Sequence, residues 1–352
     1  MPPSSPSSTL PPSERPPLEA RQADVRAAIE GTRRAGRGDR AFRAVALIAG
    51  STVLAILALI AISTGIQSWP AFQEQGLGFV LTNDWNPPAG HFGALAFIYG
   101  TILISIIALV LAVPASLGIA LFTTEMAPRR IKAVISFVVD LLAAIPSVVF
   151  GLWGLAVLIP NLEPIYKWIS DTLGTIGADG SSLILGIVGA PFRWLFAPPS
   201  NGTSFMTAGL ILAFMITPII TSLSREVIST VPGHQREAAL ALGATRWEMI
   251  RSSIFPWSRG GITGAVMLGL GRAMGETIAA ALVIGSNPQI TTRIFANGDA
   301  MAAYIANQFS EASGVFRSAL VGLGLVLFVL TIIVNMSAQR IISHFDNKAN
   351  RA

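Results

Sequence analysis

The chain has no cysteine, three histidines and three lysines in 352 residues. Without cysteine there is no disulfide framework and no thiolate metal site. His91, His234 and His344 stand far apart and make no local metal-ligand spacing. None of Lys132, Lys167 and Lys348 follows a glycine, so the Gly-Lys-Ser/Thr end of a phosphate-binding loop is missing. The chain is therefore not expected to bind or hydrolyse ATP. Charge is scarce as well, at 12% of residues, against about a quarter in an average soluble domain. With 52% hydrophobic residues and a mean hydropathy of +0.62, there is too little polar surface to face water. That excludes an ordinary soluble enzyme and a disordered chain. What remains is an all-α, polytopic membrane protein.

What is present in quantity is apolar sequence in long runs. A helix needs ~20 apolar residues to cross a bilayer, and six stretches qualify: Ala44 to Ile66, Phe92 to Phe122, Ala133 to Ile159, Met206 to Leu223, Gly260 to Gly285 and Ser318 to Ala338. Pro114 predicts a tilt or kink in the second, and the third contains Asp140 and Pro146. The first follows more than forty mostly polar residues and is too long for the apolar core of a signal peptide. Residues 1–40, rich in Pro, Ser and then Arg, read as a disordered tail with a short amphipathic segment near Ala20 to Glu30. Residues 41–345 form the membrane domain, and 346–352 a second tail.

The net charge of +5 would suggest nucleic acid in a soluble protein, but its placement says otherwise. Nineteen of the 24 Lys and Arg fall in the N-terminal tail, the connections after the second and fourth spans, and the C-terminal tail. Four (Lys167, Arg193, Arg293, Arg317) fall on the other side, and Arg272 lies within a span. The excess of basic residues in cytoplasmic loops predicts both termini in the cytoplasm. Trp69, Trp85, Trp168 and Trp194 lie on the opposite side, where interfacial aromatics are expected. No basic face with interleaved aromatics suits a nucleic acid.

Three acidic or basic residues lie inside apolar runs: Asp140, Arg272 and Glu276. Arg272 is twelve residues into its span, or ~18 Å deep at ~1.5 Å per residue. Burying a charge there costs at least ~2.5–3.5 kcal/mol. The i, i+4 spacing of Arg272 and Glu276 puts both on one helix face, where they can pair. Spacing alone leaves two readings open, a self-neutralising pair that helps insertion or a polar lining for a charged solute. Asp140, seven residues into its span, reads as a structural partner near the cytoplasmic boundary. The glycines around Arg272, including the Gly271/Gly275 pair, read as helix packing.

The connection from Arg225 to Arg259 is unusually long for a loop and predicts its own structure. A helix is expected from Gly233 to Leu242, with Gly243 at the position after its end that favours a left-handed backbone. Thr245 and Glu248 then form a T-x-x-E capping box for a second helix. A structured loop of this length is best explained as a docking surface.

These residues resemble a known family. Glu237-Ala238-Ala239, Gly243 and Pro256 follow the EAA signature of binding-protein-dependent ABC transporter permeases, EAA-x3-G-x9-I-x-L-P, with Ser253 at the Ile position and Phe255 at the Leu position. The run Gly269 to Thr277 resembles the GLGRAxGET segment of phosphate permeases in that family, and Ile145 to Gly154 their IPSVVxGLWG segment. The resemblance covers residues 40 to 345. It implies the type I ABC importer permease fold with six transmembrane helices in the cytoplasmic (inner) membrane. It also implies a second permease chain as heterodimer partner, two ATPase subunits that carry the ATP and Mg, and an extracytoplasmic phosphate-binding protein. Inorganic phosphate would be the solute, no cofactor would be held by this chain, and the chain would be a transport component rather than an enzyme. In such a protein Glu237, Ala238, Ala239, Gly243 and Pro256 couple to the ATPase, and Arg272 and Glu276 border the substrate pathway. Permeation of sulfate or molybdate is the alternative within the class. A stand-alone secondary transporter would also fit midplane charges, but would have no ATPase for the EAA loop to dock. The outer connection, residues 160–205, reads as one or two interfacial helices that contact the binding protein, or as a structural cover over the bundle.

Overall fold

A computed structural model describes residues 37–173, 195 and 202–349, and the side chains of 39–172, 195 and 202–340. Residues 1–36 of the expected N-terminal tail, most of the 160–205 connection and the last three residues lie outside the described residues; residues 37–40, expected in that tail, are helical. The chain divides into two units, Met1–Ser63 and Thr64–Ala352. The first is described by the opening part of helix α1 (Arg37–Gln75, 39 residues). At ~1.5 Å per residue α1 is ~58 Å long, well beyond the apolar stretch expected from the sequence. In this unit its large apolar side chains, such as Leu54 and Leu59, are exposed, as a helix solvated by lipid requires.

The second unit is built on α2 (Leu95–Leu121) and α6 (Phe205–Ser229). The residues of α2 explain the pairing. Ala96, Gly100, Ile104, Ala108, Ala112, Ser116 and Ala120 recur every fourth position and are all buried. A stripe of mostly small side chains lets helix backbones approach closely where no hydrophobic force separates protein from lipid. Ile211, Leu212, Ile216 and Ile220 of α6 pack into the same core. Pro114 does not divide α2, which continues to Leu121. Nearby, the Ser116 hydroxyl donates to the Thr217 carbonyl across the helix pair at 3.1 Å.

Two of the expected spans are broken. The third is not one helix: α3 (Arg129–Ala144) ends, Ile145 and Pro146 are extended, and α4 (Ser147–Trp153) begins. A proline disfavours the helical conformation of the residue before it, so the apolar run is cut at Ile145. From α4 the chain continues through a π turn, Gly154–Leu158, into α5 (Ile159–Leu173). The helical stretch long and apolar enough to cross a membrane is thus Ser147–Thr172 rather than Ala133 to Ile159, and it takes in the start of the connection read as an outer loop.

The loop helix α7 (Gly233–Ala241) and the short α8 (Arg246–Met249) lead into α9 (Phe255–Met274). The fifth expected span stops there. Gly275 caps α9, and a separate α10 (Ile278–Val283) follows. The two breaks are related, because α4 and α10, each following a break, pack on one another. A β-carbon added at Gly151 of α4 would lie 2.9 Å from the Ala279 Cα of α10, so only glycine permits this approach.

The fold closes with α11 (Met301–Gln308) and α12 (Gly314–Ala349), the latter running past the position where a tail is expected. A small antiparallel ladder, Trp85–Asn86 on His91–Phe92, is the only strand pairing among the described residues. It seats Trp85 against Phe92, Phe97 and Tyr304 at 4.9–5.5 Å between ring centroids, and the indole N–H donates to the Tyr304 hydroxyl at 2.8 Å. Among the described residues five helices are long and apolar enough to cross a membrane. The remaining expected span, the fifth, is the divided α9 and α10.

Candidate functional site

The helix–turn–helix between α6 and α9 forms as its local chemistry requires. Pro232 is extended and starts α7, whose end at Ala241 is one residue short of the expected Leu242. Gly243 has φ +85°, the left-handed turn that costs a side-chain-bearing residue strain. The Thr245 hydroxyl accepts the Glu248 N–H at 3.3 Å, and the Glu248 carboxylate accepts the Thr245 N–H at 2.7 Å, which completes the capping box. These backbone and hydroxyl donors of Thr245 hold the Glu248 carboxyl below the usual carboxylate range.

One face of this loop is anchored and the other is bare. Ile228, Val231, Met249, Ile250 and Ile254 are buried together with Ala120 from α2, and Ala239 packs against them. Ile250 to Ile254 is a π turn. It carries Ile250 and Ile254 inward while Ser253, at the apolar position of the EAA signature, stays half-buried. The apolar anchor is therefore kept by its neighbours. Glu237, Ala238 and Pro256 are exposed, and so are Leu242 (90%) and Trp247 (62%). Beside them is an open cavity of about 690 Å³ lined by Ala238, Ala239, Leu242, Ser253, Pro256 and Trp257. Exposed apolar residues concentrated around a groove mark an interaction site.

Two ion pairs tie this end of the bundle together, and the sequence did not disclose either. Arg236 of α7 lies 3.2 Å from the Glu125 carboxylate and donates to the Ile228 carbonyl at 2.8 Å. Glu125 sits on a π turn (Phe122–Met126) that extends α2, with its side chain 8% exposed. The only hint in the sequence is that Glu125 is the first charge after a long apolar run. Asp140 of α3 lies 3.9 Å from Arg225 of α6, and Arg225 also donates to the Ser136 hydroxyl one turn away. Asp140 is mostly exposed.

Arg272 and Glu276 do not pair. The expected i, i+4 contact presumes a continuous helix, and α9 ends between them at Met274. Glu276 turns instead to the start of α10, where its carboxylate accepts the Ala279 N–H at 3.4 Å. The first N–H groups of a helix lack internal partners and attract such an acceptor. Arg272, in the last turn of α9, is exposed and borders an open cavity of about 590 Å³ between α9 and α12. Gly264 and Gly271 of α9 and Asn335 and Gln339 of α12 line it too.

One further carboxyl lay outside the sequence reading. Asp299 is 1% exposed in the segment between α10 and α11. One oxygen accepts the Ala300 N–H at 2.8 Å, and the other has no hydrogen-bond partner. Burial pushes its pKa up to about 7, against the opposing pull of the Ala300 N–H. In the sequence it is only one of the polar residues of Asn297-Gly298-Asp299, which reads as a turn. Among the described residues no cluster of three His, Asp or Glu could hold a metal ion.

A membrane bundle with a capped, apolar-tipped loop helix and an arginine-lined groove defines a class of transport component. The chain belongs to the family described as binding-protein-dependent transport system inner membrane component, whose model matches residues 112–351. It is a permease subunit of an ABC transporter and not an enzyme. Among its relatives is the phosphate transport system permease protein PstC of Mesorhizobium japonicum, 42% identical over 92% of this chain and 95% of that protein. PstC of Haemophilus influenzae is 43% identical over 83% of this chain and 89% of its own length. PstC 2 of Mycobacterium tuberculosis is 40% identical over 88% and 93%. A chain in the crystal structure of a bacterial alginate ABC transporter, in complex with an alginate pentasaccharide-bound periplasmic protein, shares the fold. Its TM-score is 0.55 at 16% identity, over 88% of this chain and 96% of that one.

Proposed function

We propose that this chain conducts inorganic phosphate into the cell as one of two permease chains of an ATP-driven importer. The observation that carries the reading is identity of about 40% over roughly nine-tenths of the chain to proteins named for phosphate transport. The second permease chain completes the pathway, two ATPase subunits dock on the EAA loops, and an extracytoplasmic phosphate-binding protein delivers the solute. ATP and Mg belong to the ATPase, consistent with the missing P-loop lysine here.

The distribution of Lys and Arg supports placing both termini and the EAA loop in the cytoplasm. Glu237 then offers a polar contact to the ATPase, Leu242 and Trp247 supply the apolar one, and Gly243 sets the turn between the two loop helices. Closure of the ATPase dimer displaces α7, and the ion pair from Arg236 to Glu125 passes the displacement to α2 and its partner α6. The pathway thereby alternates between outward and inward access. Arg272 offers paired guanidinium donors to the anion. Glu276 supports α10 and has no direct part in that contact.

The test is uptake of radiolabelled orthophosphate by the complete transporter in proteoliposomes, with sulfate and molybdate as competitors. ATP-dependent uptake that neither competitor reduces is expected. Uptake of sulfate or molybdate in place of orthophosphate overturns the assignment of substrate, and uptake without any ATPase overturns the class.

A further inference from the structure

The cavity between α9 and α12 has a composition that transport of a generic anion does not require. On α9 its wall is one helix face, with Gly264, Gly271 and Arg272 recurring at helical spacing. A β-carbon at Gly264 or Gly271 would meet nothing within 4 Å, so both glycines widen the cavity rather than pack a neighbour. On α12, Asn335 and Gln339 are four residues apart and both line it, which puts them on the same face. They lie in a helix whose apolar segment is fit to cross a bilayer. Among the described residues, Arg272, Asn335 and Gln339 make no side-chain hydrogen bond or ion pair, and no carboxylate lines the cavity. Polar side chains without partners are costly in hydrocarbon. Three of them converging on one cavity mark a wet, electropositive path.

We propose that Asn335 and Gln339, together with Arg272, bind hydrogen phosphate in this cavity, and that the two carboxamides select for the protonated oxyanion. A guanidinium only donates, so it treats any tetrahedral dianion alike. A carboxamide donates through its NH2 and accepts through its carbonyl. It can therefore bind both a charged oxygen and the P–OH of hydrogen phosphate, whereas sulfate has no proton to give at neutral pH. No permanent negative charge is needed to accept that proton, which spares the path a carboxylate that would repel the ion. The inference rests on the phosphate reading above and adds to it the residues that discriminate.

The experiment uses the complete transporter in proteoliposomes. Asn335→Asp and Gln339→Glu nearly preserve shape and place a carboxylate in the cavity. Each is expected to lower orthophosphate uptake by at least about tenfold, with the second permease chain and the ATPase still bound on gel filtration. Uptake within about twofold of the parent for both variants overturns the proposal. So does loss of the second permease chain from both, which makes the cavity a subunit interface. A second measurement uses the absence of cysteine. Asn335→Cys and Gln339→Cys, with cysteine-free partners, should react with a charged methanethiosulfonate reagent, and orthophosphate but not sulfate should slow the reaction. Equal protection by both ions, or by neither, removes the selective role. If the parent transporter takes up sulfate instead of orthophosphate, the phosphate reading fails first, an outcome distinct from failure of the variants.

Discussion

Glu276 shows how much one residue's role depends on where a helix stops. In a continuous helix it would neutralise Arg272. In the folded chain it accepts the Ala279 N–H and leaves the guanidinium open to the cavity. Glu276→Gln keeps a carbonyl acceptor and is expected to leave the thermal midpoint of the purified complex within a degree or two, whereas Glu276→Leu should cost about 1 kcal/mol. Equal losses in both would mean that the charge, not the acceptor, matters. Asp299 carries a pH dependence. Its folded pKa of about 7 lies above the ordinary 3.8, so the folded state holds the proton more tightly than the unfolded chain. The stability this confers is complete below about pH 3.8 and is lost as pH rises from there to about 7. Asp299→Asn should therefore unfold at a higher temperature than the parent at about pH 8, with the gap narrowing at about pH 5 and closing only near the unfolded value of 3.8. Parallel melting curves at both pH values would contradict the assignment.

At the scale of elements, the proposed alternation of access would act through the broken helices and the anchored loop. α4 and α10 touch backbone to side chain at Gly151, with Leu282 Cδ1 2.8 Å from where a β-carbon would sit. Gly151→Val forces the two half-helices apart and is expected to cost about 1–3 kcal/mol, read as a lower midpoint of thermal unfolding. The Arg236–Glu125 pair links α7 to α2 with one partner nearly buried. Removing the arginine leaves that carboxylate uncompensated, so Arg236→Ala should lose uptake while the ATPase continues to hydrolyse ATP. Joint reversal, Arg236→Glu with Glu125→Arg, should recover part of the coupling. If it recovers none and Glu125→Gln alone is silent, the pair does not transmit.

For the whole molecule, the sparse charge sorts into distinct uses. Most basic residues lie in the tails and connections that share one side of the predicted topology, a few acidic ones pair with them at the loop end, and Arg272 stands alone at a cavity. In the proposed function, the exposed Leu242 and Trp247 are the surface offered to the ATPase. Leu242→Asp combined with Trp247→Asp is expected to reduce co-purification of the ATPase at least about tenfold without reducing membrane insertion. Undiminished co-purification would place the dock elsewhere.

Sequence by itself was enough for whatever depends on near neighbours. Hydropathy located four of the six expected membrane segments, the first, second, fourth and sixth, because the bilayer solvates ~20 residues at a time regardless of the rest of the chain. Gly243 and the Thr245/Glu248 box defined the loop helices to within a residue, because a cap closes over four positions. Tertiary structure alone decided where α9 stops and which polar groups share a cavity. Apolar residues flank Ile145-Pro146 and Gly275-Glu276-Thr277 on both sides, and Asn335 and Gln339 are more than sixty residues from Arg272. Helix breaks and long-range pairs are settled by competition for packing and for buried hydrogen-bond partners, which no local pattern encodes.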